Sequence, residues 1–221
     1  MKRAILILTA AIALWSCDAP GRRSAETLPI RPAEVADFAV LFSKNCSGCH
    51  GKAGQGALAV GIGKPVYLAI ADDTTIRGTI ESGRGGTSMP AFAQKAGGML
   101  TDAQIEILVR GIRSWAKPVD KNPPAYASSG PGDASRGHQV FAASCTSCHG
   151  KDGQGARSIA DPSYLSLVTD QHLRTVIIVG MPQLGMPDWL GHKQPLSETD
   201  VTDLVAWLSV QRDALSARLN H

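Results

Sequence analysis

The sequence predicts an all-α chain made of two tandem modules. Two observations carry this. The chain repeats itself: residues 46–57 read CSGCHGKAGQGA and residues 145–156 read CTSCHGKDGQGA, identical at nine of twelve positions. The apolar residues at the ends of each repeat recur at helical spacings, and no alternating stretch is long enough for a strand. The match continues beyond the motif. Pro65-Val66-Tyr67-Leu68 answers Pro162-Ser163-Tyr164-Leu165. Asp73, Arg77, Gly83 and Met89 answer Asp170, Arg174, Gly180 and Met186, each 97 residues later. The expected modules are residues 33–117 and 134–221, joined by a Pro/Gly/Ser-rich linker over 118–133 that carries no periodic apolar signal.

Ahead of the modules, Lys2 and Arg3 precede an apolar run from Ala4 to Trp15, which reads as a secretory signal peptide over residues 1–16. The run is too short for a resident membrane helix. Leu14-Trp15-Ser16-Cys17 resembles a bacterial lipobox, in which the chain is cut before the Cys and Cys17 is acylated. A plain signal peptide with an incidental Cys is the alternative. Several acyl chains would anchor the chain stably, since each buried CH₂ contributes about 0.8 kcal/mol. Residues 17–32, with Pro20, Gly21, Pro29 and Pro32, read as a flexible tether. The expected location is the periplasmic side of a bacterial cytoplasmic membrane.

In the first module, Val35, Phe38, Leu41 and Phe42 share one face of a helix over 34–44. Val140 and Phe141 hold the matching place in the second. Thr101-x-x-Gln104 has the form of a capping box, followed by an Ile105, Leu108, Val109, Ile112 stripe. Ser197 opens the equivalent helix, with Val201, Leu204, Val205 and Leu208 inward. The branched run Val176 to Val179 is ambiguous alone, but its partner Thr79-Ile80-Glu81 reads as helix.

Cys46-Ser47-Gly48-Cys49-His50 and Cys145-Thr146-Ser147-Cys148-His149 are both C-x-x-C-H, the signature of c-type haem attachment. Two thiols one helical turn apart can each bond one porphyrin vinyl group, and the adjacent His50 or His149 can then ligate the iron. Without the His, such a pair would suit a redox dithiol or half a zinc site. A sixth ligand is still needed. Met89 follows His50 by 39 residues, Met186 follows His149 by 37, and each is followed by Pro and preceded six positions earlier by Gly83 or Gly180. A Met thioether suits low-spin iron and raises its potential. Met181-Pro182 is a competing Met, but its equivalent in the first module is Arg84. Of five Cys, four serve two covalent haem c groups and Cys17 serves the lipid.

Other matched residues have two readings each. Arg77 and Arg174 suit haem propionates or structural ion pairs. Tyr67 and Tyr164 suit the haem edge or the core. Lys52 and Lys151 suit partner docking or plain solvation. His138, His172, His192 and His221 have no counterparts and read as solvated or locally bonded, with His138 or His192 as off-pathway ligands otherwise. The formal charge of +3 is too even to argue for nucleic-acid binding. The chain has only 4 Trp, 3 Tyr and 4 Phe, and a module of this size is marginal alone. A covalently held porphyrin would supply the missing apolar core.

These motifs resemble class I cytochrome c over nearly all of both modules. The resemblance implies two tandem all-α cytochrome c domains, the first and last helices of each crossing beside the haem. It implies covalent haem at Cys46 and Cys49 with axial His50 and Met89, and at Cys145 and Cys148 with axial His149 and Met186. One departure is Gly111, where the family often has the aromatic that Trp207 supplies in the second module; Trp115 stands one turn later. The function expected is electron transfer between respiratory or photosynthetic partners by a membrane-anchored dihaem carrier, its linker letting a module swing between donor and acceptor proteins. The alternatives are a haem-bearing subunit of a larger quinol-oxidising or oxidase complex, or a dihaem enzyme of peroxidase or thiosulfate-oxidising type. A redox or gas sensor lacks a recognisable output domain.

Overall fold

The computed structural model describes residues 30–155 and 158–219. The expected signal peptide, Cys17 and His221 lie outside the described residues. Met1–Glu34 is a unit of its own, whose described part is a 3-10 turn over Pro32–Glu34 with an exposed Arg31–Glu34 ion pair of 2.6 Å. Val35–His221 is one compact unit. Its α-helices are α1 (Phe38–Asn45), α2 (Ser47–His50), α3 (Pro65–Ile70), α4 (Asp73–Ser82) and α5 (Asp102–Arg113). They repeat as α6 (Ala134–Ser144), α7 (Thr146–His149), α8 (Pro162–Ser166), α9 (Asp170–Val179) and α10 (Glu198–Leu219). Among the described residues β pairing is confined to two isolated bridges, Ala93 with Leu100 and Met181 with Met186.

Local chemistry sets the helix ends. The apolar pattern places the first helix from residue 34, but α1 starts at Phe38. The Asp37 carboxylate accepts the Val40 amide at 2.7 Å and fixes the cap there. Val35 lies before the cap and still packs on the core. Thr101 and Gln104 form the expected reciprocal capping box, and Ser197 and Asp200 form its counterpart ahead of α10. The run Val176 to Val179 is helical, inside α9.

The Ile105, Leu108, Val109, Ile112 stripe is fully buried. On α10, Val201, Leu204 and Leu208 are buried while Val205 is half-buried. Where α1 meets α5, Phe38, Phe42 and Trp115 form an aromatic triangle with centroids 5.0–5.7 Å apart. Where α6 meets α10, Phe141 and Trp207 do the same work with centroids 4.5 Å apart.

The two repeats pack on each other. Helix α3 lies against α9. Val66 and Ile70 join the second module's core, and Val179 joins the first module's. The linker is fastened rather than loose. The Arg174 guanidinium donates to the Ala125 carbonyl at 2.9 Å, and Glu198 accepts the Ala125 amide at 2.7 Å. Gln171 donates to the Tyr126 carbonyl at 2.8 Å, and Asp203 accepts the Asp133 amide at 2.7 Å. A swinging module is therefore not what this linker provides. Buried Arg174 and Asp203 give its backbone specific partners that composition does not reveal.

Candidate functional site

Helix α2 is a single turn with the carbonyl of its cap, Cys46, accepting from both Cys49 and His50 amides, at 3.2 and 3.0 Å. Helix α7 repeats this with Cys145, Cys148 and His149 at the same two distances. The turn holds each thiol pair one helical turn apart and sets the His at its end. Cys46 and Cys145 are half-buried, and Cys49 and Cys148 are exposed. Burial pushes the Cys46 thiol up to about 12 and the Cys145 thiol up to about 11. Both are thus held protonated, unlike the activated thiolate of a redox dithiol. Among the described residues no three Cys, His, Asp or Glu side chains gather as a metal cluster, so the two thiol pairs are not brought together as a four-thiol zinc site.

The His50 ring is fixed through Nδ1, which donates to the Val60 carbonyl at 2.8 Å. That bond sets the tautomer and leaves Nε2 with its lone pair for a metal. Burial lowers the His50 pKa against a smaller opposing effect of the Val60 bond, so the ring stays neutral. Helix α4 ends at Gly83 and α9 at Gly180, each with φ 67°. A Cβ at Gly83 would meet the Met89-Pro90-Ala91 backbone, and one at Gly180 would meet Pro187-Asp188. Glycine lets the Met-Pro loop lie directly against the helix end in both repeats.

The loop hydrogen bonds have the same register. The Arg84 amide donates to the Met89 carbonyl at 3.0 Å, and the Met181 amide donates to the Met186 carbonyl at 3.0 Å. Met186 is thereby the structural equivalent of Met89, and Met181 that of Arg84.

In the first module Cys46, Cys49, His50 and Met89 line one cavity of about 860 Å³. Its remaining wall is largely apolar, including Ile76, Ile80, Leu108 and Ile112, and its size is that of a cofactor site. In the second module two buried polar atoms have no partner among the described residues: Trp189 Nε1 and His192 Nε2. Trp189 lies three residues past Met186, and the His192 ring donates to the Ser144 carbonyl. A cofactor with an acceptor group would satisfy the Trp189 indole N–H, whereas His192 Nε2, with the other ring nitrogen donating to Ser144, is left as an acceptor. The residues present therefore fit haem c, with thiols, a neutral imidazole and a thioether around an apolar slot.

The doubly read residues resolve in part. Arg77 pairs with Glu106, and Arg174 with Glu198 and Thr202, so both arginines bind their own module's last helix as structural ion pairs. Tyr67 is buried and lines the cavity. Tyr164 lines the same cavity from the second module, as do Val168, His172 and Thr175. His138 bonds Asp152 at 2.7 Å and stacks on Trp207. Lys52 and Lys151 are exposed. Sequence reasoning missed Arg84 as a cavity residue and missed the crossing of α8 and α9 residues into the first cavity. The first had a signal only as the partner of Met181. The second depends on packing between modules and had none.

A family model described as cytochrome C oxidase, cbb3-type, subunit III matches residues 33–110 and 132–208. Among curated relatives, the chain is 29% identical to the cbb3-type cytochrome c oxidase subunit FixP of Sinorhizobium medicae, covering 71% of this chain and 54% of that protein. It is 30% identical to the subunit CcoP of Azospirillum sp. (72% and 49%) and 28% identical to the subunit FixPc of Rhizobium leguminosarum bv. viciae (81% and 61%). The chain spans about half the length of the curated relatives it matches. No described helix is long and apolar enough to cross a membrane. The chain belongs to the cbb3-type cytochrome c oxidase subunit III family and carries two all-helical, haem c-binding cytochrome c domains in tandem.

Proposed function

We propose that the chain is a dihaem c-type electron-transfer subunit of an oxidase complex of the haem–copper kind, held at the outer face of the cytoplasmic membrane. The observation that carries the electron-transfer part is the convergence of Cys46, Cys49, His50 and Met89 on one apolar cavity. The relatives' description as oxidase subunits supports the assembly.

Haem c, when bound, supplies a one-electron ferrous–ferric couple. Cys46 and Cys49 hold one group and Cys145 and Cys148 the other. His50, oriented by the Val60 carbonyl, presents Nε2 on one side. Met89 would be the other protein ligand to that iron, and His149 with Met186 would hold the iron of the second module. The apolar lining excludes water, so charge change at the site involves little solvent reorganisation. Acylated Cys17 would anchor the chain. A free-standing lipid-anchored carrier is the second reading, favoured by the Leu14-Trp15-Ser16-Cys17 sequence.

The test is a redox titration of the haem-loaded chain with optical and near-infrared spectra. Two haems, both showing the band of Met sulfur on ferric iron and both at positive potential, are expected. One haem lacking that band and binding carbon monoxide would replace this reading with an enzyme. Tagged chain that co-purifies with an oxidase supports the subunit reading, and chain that purifies alone from membranes supports the carrier.

A further inference from the structure

The cavity of the first module has an uneven charge. Lys44, Arg84 and His172 line it, and no Asp or Glu does. Lys44 is exposed and free to reach solvent. Arg84 and His172 are half-buried, and they come from different modules: Arg84 follows α4 of the first, and His172 stands on α9 of the second. Among the described residues no carboxylate pairs with the Arg84 guanidinium, which is instead held over the Tyr126 ring of the linker at 5.6 Å from the ring centroid. The two groups are close enough that Arg84 disfavours protonation of His172, adding to the larger effect of burial. Arg84 also acts on the Tyr67 hydroxyl in the same cavity.

Acids elsewhere in this region are already engaged. Asp170 of α9 accepts from Ser209 and Arg212, and Glu198 accepts from Arg174 and Ala125. A guanidinium without a counter-charge from the chain, with an imidazole N–H donor in the same apolar slot, forms a seat for an anion. The anion that fits must reach them from inside the slot, and an apolar macrocycle bearing carboxylates has that form.

We propose that Arg84 and His172 form a carboxylate seat, shared between the two modules, that holds a propionate of the haem in the first cavity. The inference rests on the haem reading above. It gives the packing of α3 on α9 a functional consequence, because the second module then helps to set the potential of the first haem. A cation beside the propionate offsets its negative charge and disfavours the ferric form, so the seat raises that potential. Arg84 and His172 are positioning residues; the Tyr126 ring holds the Arg84 guanidinium, and Gln171 of α9 fixes Tyr126 by donating to its carbonyl.

The test uses the full haem-loaded chain in a Met186→His background, which lowers the second haem's potential and leaves the first resolved. Arg84→Gln is expected to lower the first haem's potential without loss of its Met–iron band. His172→Gln is expected to lower it in mild acid and to remove the part of its pH dependence that falls below the ordinary imidazole value, where burial and Arg84 place the His172 titration. Arg84→Lys should restore only part of the loss, since an ammonium lacks the planar fork. Unchanged potential and unchanged pH slope in both Gln variants would overturn the proposal. So would an effect that appears only with added phosphate, which would assign the seat to a diffusible anion. If Arg84→Gln fails to load haem, His172→Gln alone decides. Wild-type chain that takes up no haem would overturn the proposed function itself, and this inference with it.

Discussion

The Phe38 ring lies in the space that a side chain at Gly111 would fill. The second module reverses the arrangement. Gly137 stands at the position of Phe38, against the Asp203 carbonyl and the Trp207 Cβ, and Trp207 stands at the position of Gly111. The aromatic group at the helix crossing has thus moved from the last helix to the first. In a free helix Gly111→Ala would gain about 1 kcal/mol. Here the ring it meets is held by Phe42 and Trp115, so overpacking of about 1–3 kcal/mol outweighs that gain. We expect Gly111→Ala to lower the unfolding midpoint of the haem-loaded chain. Phe38→Gly with Gly111→Trp should be more stable than the sum of the two single changes by roughly 0.5–3 kcal/mol. Additive effects in denaturant titrations would show that the two positions are not coupled.

The matched arginines should differ in worth. Arg77 and Glu106 are each about one-third exposed, at 34% and 38%, so losing that pair should cost no more than about 1 kcal/mol. Arg174 is 2% exposed and donates to Ala125, Thr202 and Glu198 together. Arg174→Met leaves the Ala125 carbonyl without its partner. Glu198 is 37% exposed and keeps the Ala125 amide, so the cost is that of the unpaired carbonyl, about 1–3 kcal/mol, with faster amide exchange over residues 125–133. Equal costs for Arg77→Met and Arg174→Met would contradict the burial difference.

Most of the site was legible in the sequence because duplication doubles every signal. A single Met is ambiguous, but Met89 and Met186 stand at matched places, each before Pro, in loops that share one hydrogen-bond register. Helix ends were legible where a side chain caps them, as at Thr101 and Ser197. They were misplaced where apolar spacing was the only guide, as at Val35. The fastened linker was not legible. Its stability comes from Arg174 and Gln171, which lie some 45–49 residues away in sequence. The same holds for His172, whose place in the first cavity follows from α3 resting on α9.

The two methionines of the second loop separate cleanly by experiment. Met181 and Met186 are both half-buried and bonded to each other through their backbones, so burial does not distinguish them. Register does. Met186→Ala should remove the sulfur–iron band of the second haem, lower its potential and open the iron to carbon monoxide. Met181→Ala should leave band and potential in place, because its side chain stands where the first module has Arg84. The reverse pattern in near-infrared spectra would reassign the ligand and break the equivalence of the two loops.

Removal of haem attachment tests whether the cavity needs its occupant. A dry void costs about 24 cal/mol per Å³, so one of about 860 Å³ would cost up to ~20 kcal/mol. That exceeds the whole stability of an ordinary domain, about 5–15 kcal/mol. Water in the slot would instead wet Ile76, Ile80, Leu108 and Ile112, which are the first module's core. We therefore expect Cys46→Ala with Cys49→Ala to leave the first module without fixed packing. Near-ultraviolet circular dichroism from Trp115 should fall, and a hydrophobic dye should bind. The second module should keep its haem, but with a lower unfolding midpoint, since Val66 and Ile70 of α3 belong to its core. A variant with undiminished near-ultraviolet signal and no dye binding would show that the first module closes its cavity by itself, and that its apolar lining is a self-sufficient core.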